Sequence, residues 1–367
     1  MTEDKWLQST DGDAMLDHVA ARLTPRHWVL LSAAYVRRLW ELLPAGVLRE
    51  AIEFAEQAEK PITAAVRKEW LKKIDAAIPA AISAAEFAQR EIVKSADPDS
   101  ADLTDPVLAR PTQIAPAFPL FRAASNHARN AVTWIADALG QSAHAVRSLF
   151  AEPSEEMLDQ ARSRVEQASE TRTTANRAAN NALRLKQEGD ELADRAAAAK
   201  NKRIEESKAL EIVRKLEEGP NREEGAEFEA ELKRDKATRK HLARLLREVV
   251  GNPFTPPRFE AAWRTSTVTG LAKGIFAERA FDRMPILADA LLDADCDEEA
   301  ILRHCRGTEI GPKEPPLHVR GCWVIELALN RWKPLPPAPK NPPPRPRRDF
   351  DDLDIDLPPD DDDPAFA

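Results

Sequence analysis

From Pro153 to the Gly219–Pro220 stop, the chain reads as one alanine-striped helix, and any fold must accommodate that stretch. Leu158, Ala161, Val165 and Ala168 keep coiled-coil spacing; after a three-residue slip, Ala175, Ala178, Ala182, Leu185, Gly189, Leu192, Ala196 and Ala199 resume it. Pro153, Ser154, Glu155 and Glu156 supply the start signals, an imino acid tolerated in the first turn and acids at the positive end of the dipole. Gly189 costs about 1 kcal/mol in a helix interior, which favours one long helix over a hairpin turning at Gly189 and Asp190. A stripe made mostly of alanine is thin, so whatever covers it approaches closely. The expected roles are a spacer, a self-association arm through residues 153–218, a filament-forming element, or a helix folded back on the N-terminal region.

The rest of the chain is helical in character as well. One tyrosine and twelve glycines in 367 residues leave little of the β-branched and aromatic material that fills strands, so the expected class is all-α. The expected organisation is a helical N-terminal domain over residues 1–150, the long helix and a basic helix over 153–248, a compact helical C-terminal domain over 249–332, and a disordered tail over 333–367. Within the first, Ala51, Phe54, Ala55 and Ala58 repeat at helical steps, and the proline- and aspartate-rich stretch 95–119 reads as a loop. Within the third, Thr265 caps one helix, Pro285 opens another, Asp295 and Glu298 form a capping box for a short helix ending at Gly307, and a last helix covers His318 to Trp332.

Charge and cysteine usage narrow the setting. A net charge of −9 argues against a chain that coats nucleic acid. Three cysteines are too few for a disulfide framework, the acidic start MTEDKW leads into no apolar run, and no apolar stretch approaches the ~20 residues of a membrane span. A cytoplasmic, soluble protein without a membrane partner is expected.

Two segments suggest polar interactions. In KRDKATRKHLARLLR, the residues Lys233, Arg234, Lys236, Arg239, Lys240, Arg244 and Arg247 make a basic face for a polyanion or for the chain's own tail, while Leu242, Leu245 and Leu246 form an apolar one. The tail holds eleven prolines and, between Asp349 and Asp363, nine aspartates. That composition cannot pack a core; it suits a solubilising or partner-recruiting segment tethered within reach of the basic helix.

All three cysteines and two of the seven histidines fall between Cys296 and Cys322. His318 and Cys322, four residues apart on an expected helix, share a face, and a returning loop brings Cys305 beside them. With His304 as the fourth donor this makes a candidate zinc site: Cys305, His318, Cys322 and His304. Against it, His304 and Cys305 are adjacent and point about 100° apart on a helix, and free cysteines are commonly small buried packers. Neither a Gly-rich phosphate loop nor a serine nucleophile elbow is present.

The blocks MTEDKWLQSTDGDAML…RHWVLLSAAYVRRLWELL and LLREVVGNPFTP…DRMPILADALLDADCDEEAILRHC…HVRGCWVIELAL resemble a family of uncharacterised proteins from planctomycete bacteria. The resemblance implies an α-helical protein with an alanine-rich middle of variable length, and cysteines ahead of the Arg-Arg-x-Trp element, where this chain has Ser32 to Tyr35. The leading expectation is a non-enzymatic helical interaction or scaffold protein with a protein partner. The alternatives are a zinc module or metal-dependent enzyme, and a nucleic-acid accessory protein acting through residues 233–247.

Overall fold

The computed structural model describes residues 1–96, 118–198, 207–208, 210–214, 224–308 and 317–336. Over these residues the fold is all-α and contains no strand. Most of the stretch 95–119 and all of the tail from residue 337 lie outside them. No helix among them is long and apolar enough to cross a membrane.

The N-terminal bundle is built from α1 (Glu3–Gln8), α2 (Gly12–Val19), α3 (Pro25–Val36), α4 (Val47–Gln57) and α5 (Ala64–Ala96). Local chemistry starts each of the first three: the side chains of Thr2, Asp11 and Thr24 accept hydrogen bonds from first-turn amides, and His27 returns the favour by accepting from the Thr24 amide. The hydrophobic α3 is buried on nearly every side, so it forms the centre of the bundle.

Two long helices follow, α6 (Phe118–Ser148) and α7 (Glu155–Ala198), joined by a short turn at whose end Ser154 accepts from the Met157 amide. They pack against each other as an antiparallel hairpin, and Leu120 and Ala124 at the start of α6 share a small core with Leu185 and Leu192 late in α7. The stripe from Leu158 through Ala161, Val165, Ala168, Ala175, Ala178, Ala182 and Leu185 to Leu192 is buried. α7 runs unbroken through Gly189, which lies buried on the seam. The stripe is thus covered within the chain, by α6 and, near its base, α3.

The basic helix, α8 (Glu224–Val250), closes the first core rather than standing apart from it: Leu242, Leu245, Leu246, Val249 and Val250 pack with Trp6, Met15, Leu16 and Tyr35. α2 lies hard against it. A Cβ on Gly12 would stand 2.4 Å from the Arg239 carbonyl oxygen, so glycine is what allows the approach.

The second core comprises α9 (Ser266–Glu278), α10 (Met284–Leu292), α11 (Glu299–Arg306) and α12 (Trp323–Ala328). Two boundaries differ from the sequence expectation. Asp295 adopts a left-handed conformation with φ 61° and caps nothing, so α11 begins after Glu298, while Gly307 ends it at φ 65° as expected. The last helix does not start at His318. Gly321 sits at φ 104°, with Leu30 packed where a Cβ would lie, and this turn delays α12 to Trp323; Asn330, at φ 58°, follows its end.

The cores are tied by polar contacts as well as by chain continuity. Arg26, at the start of α3, grips the buried Glu326 carboxylate of α12 with Nη2 at 2.9 and 3.0 Å.

Candidate metal centre

Three chain segments deliver four donors to one buried point. Glu248 comes from the last turn of α8, in the run LLREVV where its neighbours Leu245, Leu246, Val249 and Val250 face the first core. His304 stands on α11, whose apolar side is held by Ile301 and Leu302. His318 and Cys322 flank the turn at Gly321, the latter as the N-cap of α12.

Their ligand atoms all lie within 4.8 Å of one another. Nε2 of His304 is 3.1 Å from Sγ of Cys322 and 3.5 Å from Oε2 of Glu248, while Nδ1 of His318 is 3.1 Å from Oε1 of Glu248. A tetrahedral zinc ion with bonds of 2.0–2.3 Å holds its ligand atoms about 3.5 Å apart, close to the three short distances here, while the widest spacing allowed in the set reaches 4.8 Å. Cys322 is fully buried, and the side chains of His304, Glu248 and His318 are 2%, 5% and 7% exposed.

The electrostatics of the cluster are mutual. Burial pushes the Glu248 carboxyl up, but His304 and His318 more than offset this and hold it at about 2. Burial pulls His318 down, and hydrogen bonds with Cys322 and Glu248 overcome it, raising its pKa to about 9. For His304 the same contest also ends upward, against burial, through Cys322 and Glu248. The position of its proton is restricted by Trp323, whose indole N–H donates to Nδ1 at 3.2 Å. An indole nitrogen is only a donor, so this contact belongs to the neutral ring with its single proton on Nε2, facing Cys322 and Glu248; the imidazolium that the cluster favours carries a proton on Nδ1 as well and would give the contact up. A metal ion at Nε2 would take that place and move the remaining ring proton to Nδ1, and the Trp323 bond would have to break.

Of the donors expected from sequence, His304, His318 and Cys322 come together and Cys305 does not. Cys305 follows His304 on α11, and with His304 turned to the cluster it points into the second core, where burial raises its thiol to about 12. Cys296 packs in the same core. The fourth place is taken by Glu248, which the reading confined to cysteine and histidine missed.

The basic set on α8 is divided. Lys233, Lys236 and Arg239 are exposed, Arg239 lying 3.5 Å from Asp13; Lys240, Arg244 and Arg247 are half-buried, and the side chain of Arg234 lies outside the described residues. Arg247 is structural: its Nη1 donates to the carbonyls of Trp6 and Ser9 at 3.2 and 2.8 Å, so it is not available to a polyanion.

Comparison with protein-family models, with curated proteins and with solved structures returned no match.

Proposed function

We propose that this protein is a non-enzymatic helical interaction protein whose two cores are clasped together by a structural zinc ion held by Glu248, His304, His318 and Cys322. The observation that carries the reading is the convergence of four buried donors from α8, α11 and the Gly321 turn on one point. Two imidazoles, a thiolate and a carboxylate suit zinc better than magnesium or calcium, which take oxygen donors. Catalytic zinc keeps one position for water or substrate, whereas four protein donors in a buried pocket complete the coordination shell. The same burial argues against a cysteine nucleophile at Cys322, because a substrate has no route to its sulfur. Glu248 belongs to a helix of the first core, His304 and Cys322 to elements of the second, and His318 to the segment whose Leu317 and Val319 pack on the first, so the ion would act as a cross-link between the cores.

The interaction role is supported by the α6–α7 hairpin, flanked by α5 along α6 and taken as a short coiled coil, on which Trp134 and Leu183 stand exposed. Elemental analysis of protein purified without added metal tests the metal reading. About one equivalent of zinc is expected, with a melting temperature that falls when a strong chelator removes it. Zinc well below one equivalent together with a chelator-insensitive melt would refute the clasp.

A further inference from the structure

Away from the zinc cluster, one carboxylate is shared by three arginines drawn from distant parts of the chain. Glu56, near the end of α4, is 2% exposed. Its Oε1 accepts from Nε of Arg37 at 3.0 Å and Nη1 of Arg279 at 3.0 Å; its Oε2 accepts from Nη2 of Arg37 at 2.5 Å, Nη1 of Arg279 at 3.1 Å and Nη1 of Arg320 at 3.0 Å. The neighbouring ion pairs, Arg26 with Glu326 and Arg331 with Glu59, each balance themselves. Three cations on one anion leave two positive charges over.

The three arginines are not equivalent. Arg320 is consumed: it is 3% exposed, and its Nε and Nη2 donate to the carbonyls of Phe276 and Ala277. Arg37 and Arg279 keep donors in reserve. Among the described residues, Nη1 of Arg37 and the Nε and Nη2 of Arg279 have no hydrogen-bond partner. Both guanidinium planes are held against rings, Arg37 over Trp40 at 3.9 Å and Arg279 over Phe281 at 5.6 Å, which restricts their motion and leaves the N–H edges free. The Arg279 side chain is 26% exposed, so the cluster meets solvent on that side. Burial and the charges of Arg37 and Arg320 make its own positive charge harder to sustain, a cost that an incoming anion would relieve.

We propose that Arg279 and Arg37, aligned by Glu56, form an oxyanion site for a phosphate group, whether inorganic phosphate or a phosphomonoester. A dianion matches the two surplus charges, and guanidinium forks present paired N–H groups at the spacing of phosphate oxygens. Glu56 repels the ligand less than the three arginines attract it, and it fixes their geometry beforehand. The site sits at the seam of the two cores, since Arg37 belongs to the first and Arg279 to the second, so occupancy would strengthen their union independently of zinc.

The test is a titration of the full chain, holding its native metal content, with sodium phosphate or glycerol 3-phosphate against chloride at matched ionic strength. It is followed by calorimetry and by thermal shift. Saturable binding with a rising melting temperature is expected, and the tighter of the two probes identifies the free ion or the ester as the better ligand. Arg279→Gln should weaken binding about tenfold or more, the usual effect of losing one charge-assisted contact, while still melting cooperatively in chloride because the cluster is relieved of a charge. Arg279→Lys, which keeps the charge and loses the fork, should fall between; it also serves if the glutamine variant does not fold. Arg258→Gln, at an exposed arginine paired with Asp297, should bind as the parent does. A linear, unsaturable response, or equal binding by parent and Arg279 variants, would overturn the site.

Discussion

Nε2 of His304 and Sγ of Cys322 lie 3.1 Å apart although the two residues are eighteen positions apart in the chain, and the N–H that holds the other face of the imidazole comes from Trp323, the residue next to that cysteine. The pair therefore behaves as a unit: displacing either side chain disturbs the ligand and its orienting donor together. Four expectations follow from this site and its surroundings.

Glu248→Gln separates a metal site from a hydrogen-bonded cluster. The amide keeps the shape and one acceptor oxygen but loses the charge. Zinc affinity, read by competition with a chromophoric chelator, should drop by at least ~10-fold. Cys322→Ser should lose zinc altogether and cost about 3 kcal/mol by leaving buried polar groups unpaired. Unchanged zinc content in both variants would remove Glu248 and Cys322 from the ligand set.

Trp323 competes with the ion for the tautomer of His304. Trp323→Phe takes away the donor at Nδ1, so zinc should bind more tightly by roughly fivefold, the worth of one hydrogen bond. It should do so even as the smaller ring fills less of the second core and the protein becomes less stable. Weaker zinc binding in the phenylalanine variant would mean that the indole supports the ligated state instead.

His27 and His241 set an acid limit on stability. Both are pulled down to about 4, first by burial and then by nearby arginines, Arg26 for the former and Arg38 with Arg244 for the latter. Their folded pKa values lie below the unfolded value of about 6.5, so the unfolded chain takes up protons first. Their contribution is therefore complete above pH ~6.5 and declines as the pH falls toward 4, by about 2 kcal/mol for each group at pH 5. His241, edge-on to Tyr35 with its Nε2 unpartnered, is the one to replace. Urea unfolding of His241→Phe should show a shallower loss between pH 7 and pH 5 than the parent, and parallel curves would contradict the assignment.

Gly321→Ala should be among the most damaging small substitutions. The residue is at φ 104°, and a Cβ would stand 2.9 Å from a Leu30 methyl. Backbone strain and overlap together should cost on the order of 3 kcal/mol. In a double-mutant cycle Leu30→Ala should recover the overlap but not the strain, so partial rescue is the expected result. Full rescue, or none, would assign the cost to one cause alone.

Periodicity revealed the helices well where the pattern was long. The alanine stripe of α7 appears on its seam residue by residue from Leu158 to Leu192, because burial against one partner enforces one spacing. Short elements near the site were less legible. A helix from His318 seemed natural until Gly321 took a positive φ, and that choice depends on Leu30, nearly three hundred positions away. Three of the four clustered donors, His304, His318 and Cys322, could be read from the sequence, and the spacing of the last two survived although the helix assumed for it did not. Glu248 was hidden among 62 acidic residues, yet LLREVV held a clue: one carboxylate inside an apolar run must find a partner. The arginines on Glu56 left no local trace, since their convergence is a property of the assembled cores.

Because α8 supplies Leu242, Leu245, Leu246 and Val250 to the same core as Trp6, Met15 and Leu16, α1 and α2 are translated well before the helix that covers them. At the usual pace of 5–20 residues per second, the apolar faces of α1 and α2 wait on the order of ten seconds or more for the strand of chain that seals them. A fragment ending before Glu224 would lack Leu242, Leu245, Leu246, Val249 and Val250, and so would leave the apolar faces of α1 and α2 without the helix that packs on them.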